Sequence, residues 1–72
     1  MTDNEKQELK KLGDKLRLFR LNKNISQEKL AEITNLDRTY ISSLERGKRN
    51  PSFLILKKLA ECLDVNPNDF FL

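Results

Sequence analysis

The chain of 72 residues has no histidine and a single cysteine, Cys62. Without histidine, zinc sites and the Cys–His and Ser–His catalytic pairs lose their usual groups. A lone cysteine closes no intramolecular disulfide, and Cys62 reads as a small buried or half-buried residue on a helix. No catalytic residue, metal or cofactor is therefore expected. No apolar run approaches the length that spans a bilayer, and the N-terminus is too polar for a signal peptide. A reducing cytoplasm is the simplest compartment, with no membrane partner. Aromatic residues are not interleaved with basic ones, as platforms for RNA or single strands require. Glycine and proline are scarce, two of each, and no stretch alternates convincingly as a strand.

What is present is charge, unevenly placed. The net charge is +3, yet residues 10–50 hold eleven Lys or Arg against five Asp or Glu, a net of +6. The middle of the chain is the surface suited to a polyanion. The length allows one domain, residues 1–72, with a modest core that self-association would help.

The apolar spacing predicts five helices. Thr2 and Glu5 fit a capping box for a first helix over about 4–22, with Leu9, Leu12, Leu16 and Phe19 in one stripe. Ser26 caps a second helix, 27–34, whose Leu30 and Ala31 face the core. Asn35 suits a left-handed turn, Leu36 plugs it, and Asp37 caps a third helix, 38–46, which Gly47 ends. Pro51 and Ser52 start a fourth, running to about Leu63, with Phe53, Leu56, Leu59, Ala60 and Leu63 on its inner face. Asn66 and Pro67 open a last short turn.

The third helix is the informative one. At about 100° per residue, Arg38, Thr39, Ser42, Ser43 and Arg46 share one side, and Tyr40, Ile41 and Leu44 the other. Short polar side chains flanked by arginines let a helix backbone approach base edges. Arginine donates twice to guanine, and threonine offers a methyl to thymine or a hydroxyl to a base or phosphate. Ala31, Leu36, Ile41 and Leu44 supply the small, plugging and anchoring positions of two helices crossing over a tight turn. Gln27 sits where a helix N-terminus offers free amides to phosphate. Lys48, Arg49 and Asn50 should flank the groove. Lys10, Lys11, Lys15 and Lys23 read mainly as solvated helix surface.

The run SQEKLAEITNLDRTYISSLERGKRNPS, residues 26–52, resembles the helix-turn-helix of the lambdoid repressor, Cro and xenobiotic-response-element class. NLDRTYIS followed by ER and RN is similar to one branch, the controller proteins of restriction–modification systems. The resemblance spans about residues 12–70. It implies a compact five-helix, all-α fold of the lambda-repressor type. It also implies a symmetric dimer on a palindromic operator in double-stranded DNA, with the third helix in the major groove. Base contacts would fall to Arg38, Thr39 and Ser43, with Ser42 close by, and to Arg49 of the following loop. Backbone contacts would fall to Tyr40, Arg46, Lys48 and Asn50, while Gln27 would touch phosphate or clamp a neighbouring side chain. Arg20 and Glu45 would pair as a structural clasp, since an unpaired carboxylate at the edge of the apolar face is costly. Asn35 replaces a glycine common in the turn, and controller proteins usually continue further past the position of Leu72.

Leu54, Ile55, Phe71 and Leu72 lie beside the inner stripe or in the tail, and exposed together they would make a homodimer interface. The expected activity is regulation of transcription by occupancy, blocking or recruiting RNA polymerase. A phage-type repressor, an antitoxin, or a protein-interaction adaptor on the same fold are the alternatives.

Overall fold

The computed structural model describes residues 2–72. Four α-helices follow one another: α1 Asp3–Asn22, α2 Gln27–Thr34, α3 Arg38–Glu45 and α4 Phe53–Leu63. A 3-10 helix, Pro67–Phe70, completes the order, and no strand occurs among the described residues.

Local chemistry sets these boundaries. Thr2 Oγ1 accepts the Glu5 amide at 3.2 Å while Glu5 Oε1 accepts the Thr2 amide at 3.2 Å, a reciprocal cap on α1. Ser26 and Ser52 cap α2 and α4, accepting the Lys29 and Ile55 amides at 3.0 and 3.2 Å. Asn35 adopts the left-handed conformation (φ +57°), and the Leu36 amide returns to the Ala31 carbonyl at 3.0 Å. Asparagine thus does the work of the turn glycine. Asp37 occupies the cap position of α3, but its carboxylate makes no capping hydrogen bond, contrary to expectation.

The fifth expected helix is corrected to a single 3-10 turn. Its four residues close through the Asp69 amide to Asn66 O (2.8 Å) and the Phe71 amide to Asn68 O (3.0 Å), the three-residue spacing of short terminal helices. That turn carries Phe70 into the core, edge-on to Phe19 with centroids 5.5 Å apart.

The core lies between the helices: Leu12 and Leu16 of α1, Leu30 and Ala31 of α2, Ile41 and Leu44 of α3, and Leu56, Leu59, Ala60 and Leu63 of α4, with Phe70. Phe53 does not join it. Expected on the inner face, it is 64% exposed. As the first residue of α4 it projects past the edge of the core, onto the rim of an apolar groove between α1 and the C-terminal end.

Gly13 sets how closely α1 and α3 cross. A Cβ there would lie 2.7 Å from the Glu45 carbonyl oxygen and still nearer that of Leu44. Only a residue without a side chain lets the α3 C-terminus rest on α1 at this point.

A candidate nucleic-acid interface on the third helix

Two faces of α3 have opposite fates. Ile41 and Leu44 are completely buried and hold the helix against the core. Arg38, Thr39 and Arg46 are exposed, and Ser42 and Ser43 are half-buried between them. The five polar residues expected on the outer face are there, with small groups in the middle and guanidinium groups at both ends. Arg38 Nε lies 3.8 Å from Glu28 Oε1 on α2, and Arg46 Nη2 donates to Ser43 Oγ at 3.3 Å.

The helix ends where Gly47 turns left-handed (φ +74°), and Lys48, Arg49 and Asn50 follow as an exposed loop. The Arg49 guanidinium stands 5.8 Å from the centroid of the Tyr40 ring. Tyr40 is half-buried and packed against the core, so its ring is a fixed platform beside the loop cation. The helical wheel puts Tyr40 on the apolar side, and the family resemblance puts it near DNA. In the structure the ring is half-buried, packed against the core and within reach of the Arg49 guanidinium.

Beneath the outer face lies the clasp. Arg20 Nε and Nη2 donate to Glu45 Oε2 and Oε1 at 2.6 and 2.9 Å, a two-pronged pair with side chains 10% and 4% exposed. Arg20 Nη1 donates to the Ile25 carbonyl at 3.0 Å, and Gln27 Nε2 donates to Glu45 Oε1 at 3.1 Å. The hydrogen bond to Glu45 raises the Arg20 pKa above its ordinary value, with burial opposing. These bonds join the end of α1, the start of α2 and the end of α3. Of the two roles expected for Gln27, this geometry supplies the clamp. No buried side-chain nitrogen or oxygen lacks a partner among the described residues, as a stable buried charge requires.

Leu54, Phe71 and Leu72 are 73%, 64% and 81% exposed, and Ile55 is half-buried against the core. The tail buries Phe70 in the core but leaves Phe71 and Leu72 uncovered. Cys62 is half-buried, and burial pushes its thiol pKa up while Lys23 pulls it down. Among the described residues no group of three or more Cys, Asp or Glu could hold a metal ion, and no helix is long and apolar enough to cross a membrane.

Sequence reasoning missed Gly13, and it missed the Gln27 bond as a specific contact to Glu45. A glycine inside a strongly helical stripe is the signal that could have found the first.

Comparison with known proteins places the sequence and the fold. The helix-turn-helix family model matches residues 16–70. Control protein C.BamHI of Bacillus amyloliquefaciens is 52% identical over 58 residues, covering 79% of this chain and 72% of that protein. The crystal structure of the restriction–modification controller protein C.AhdI from Aeromonas hydrophila superposes with a TM-score of 0.87 at 45% identity, covering 90% of this chain and 98% of that one. The controller protein C.Esp1396I, solved as a tetramer with its natural 35-base-pair operator, matches with a TM-score of 0.78 at 41% identity over 89% of this chain and 84% of that one. The chain belongs to the helix-turn-helix family and, within it, to the controller proteins of restriction–modification systems.

Proposed function

We propose that this chain regulates transcription by binding an operator in double-stranded DNA as a dimer, with α3 in the major groove. The observation that carries this is the division of α3: Ile41 and Leu44 wholly buried, and Arg38, Thr39, Ser42 and Ser43 turned outward around them. A helix anchored by one face and small and cationic on the other is complementary to a groove lined by acceptors. Arg38, Thr39 and Ser43 read base edges, with Ser42 allowing close approach, and Arg49 joins them from the loop. Tyr40, Arg46, Lys48 and Asn50 lie against the phosphate backbone, and Gln27 braces the α2 N-terminus through Glu45.

The second copy is the fitting occupant for Leu54, Ile55, Phe71 and Leu72. Two-fold pairing there sets two recognition helices roughly one DNA turn, about 34 Å, apart. Such a dimer acts by occupancy, excluding or recruiting RNA polymerase, with no catalytic step, and does so in the cytoplasm. A mobility shift against random-sequence duplex DNA at two salt concentrations tests this. Retention that falls steeply with salt supports it through counterion release. An adaptor that has given up DNA would show no shift at either salt, and that result would overturn the proposal.

A further inference from the structure

Lysines on α1 have the spacing of solvated surface, yet two of them meet the end of the recognition helix. A shallow recess is lined by Lys6 and Lys10 of α1 together with Arg46, Gly47 and Lys48. The backbones are close there because Gly47 has no side chain. A Cβ at Gly47 would stand 2.9 Å from Lys10 Cα and 3.0 Å from its nitrogen. Four cationic side chains therefore converge on one concavity from two separate elements. Of these four, only Lys10 has a carboxylate within ion-pair distance among the described residues, that of Asp14 on its own helix. Among the described residues Lys6, Arg46 and Lys48 have no such partner, and the Arg46 guanidinium hydrogen-bonds only Ser43.

A group of like charges held together with one acid to offset them carries a repulsion that an anion relieves. The recess is open and contains no buried polar side chain, so it is ill suited to enclose a small free anion. It is continuous with the Lys48–Asn50 loop, which the proposed function places beside the groove. We infer that Lys6 and Lys10 complete, with Arg46 and Lys48, a seat for a DNA backbone phosphate at the C-terminal end of α3. This rests on the duplex-binding reading above. The seat contributes affinity without base preference, because a phosphate carries no sequence information.

The test compares the full chain with K6Q/K10Q and with K6R/K10R. Fluorescence anisotropy would follow binding to a duplex enriched by the wild-type chain from a random pool, at four salt concentrations. Thermal melting of all three would confirm folding. The seat predicts that K6Q/K10Q binds several-fold more weakly, with a salt slope shallower by about 0.9 for each phosphate it no longer neutralises. It also predicts unchanged preference between the enriched and a scrambled duplex, and recovery in K6R/K10R. An unchanged slope in K6Q/K10Q overturns the seat and leaves the functional reading intact. Wild-type chain that shows no salt-dependent duplex binding overturns both. In a parallel arm without DNA, inorganic phosphate is titrated at constant ionic strength. Binding there that K6Q/K10Q abolishes, with duplex binding unaltered, assigns the recess to a free anion and overturns the seat.

Discussion

Arg20 and Glu45, 25 residues apart in sequence, meet in a buried two-pronged ion pair at 2.6 and 2.9 Å that fixes the recognition helix against α1. Glu45 is the last residue of α3, and Arg20 also ties down the α1–α2 loop through the Ile25 carbonyl. One pair thereby sets the position of both halves of the helix-turn-helix.

Removing one partner strands the other charge in a site of low polarity. Glu45→Ala should destabilise the fold by about 3 kcal/mol. For a domain of this size that lowers the melting temperature by about 4–8 °C per kcal/mol. Thermal unfolding followed by circular dichroism checks it, and an unchanged melt would reject the clasp.

Gly13 makes a second stability prediction. In Gly13→Ala the new methyl meets the carbonyl oxygens of Leu44 and Glu45, both backbone groups with little room to retreat. The gain in helix propensity is overwhelmed, and destabilisation of about 1–3 kcal/mol is expected from overpacking. An alanine at the exposed Lys11 position on the same helix should be close to neutral and is the control.

Arg38 and Arg49 are predicted to differ from ordinary phosphate contacts. Arg38→Ala should reduce discrimination between an enriched and a scrambled duplex by about 1–3 kcal/mol per half-site. Arg49→Ala should also weaken binding preferentially on the enriched duplex, and equal weakening on both would assign Arg49 to phosphate. Tyr40→Phe retains the ring face beneath Arg49 and should keep most of that contribution.

Leu54→Glu and Phe71→Glu place charge on side chains that are largely exposed in the single chain. Folding should survive, and self-association measured by sedimentation equilibrium should weaken. Unaltered association in both variants would move the dimer surface elsewhere.

Much of the fold was legible because the signals were local. Thr2 with Glu5, Ser26, Asn35 and Gly47 mark helix ends through their own backbone geometry, and the structure uses each as expected. The outer face of α3 was equally legible, since helical periodicity alone separates Arg38, Thr39 and Ser42 from Ile41 and Leu44. What was not legible depends on where elements meet. Phe53 has the spacing of an inner residue, but nothing in its neighbours says that the core stops one turn short of it. Asp37 has the chemistry of a cap, and its unused carboxylate reflects a side-chain orientation that spacing does not encode. Gly13 and the gathering of Lys6 and Lys10 beside Arg46 and Lys48 are products of the α1–α3 crossing.

The central claim is that the outward face of α3 meets paired bases. Its most direct measurement is an amide chemical-shift map of the ¹⁵N-labelled chain titrated with a duplex enriched from a random pool. Binding by this face predicts the largest changes along Arg38–Ser43 and Lys48–Asn50, with small ones on the far side of α1. Saturable binding that leaves Arg38, Thr39, Ser42 and Ser43 unperturbed while shifting amides elsewhere would contradict it.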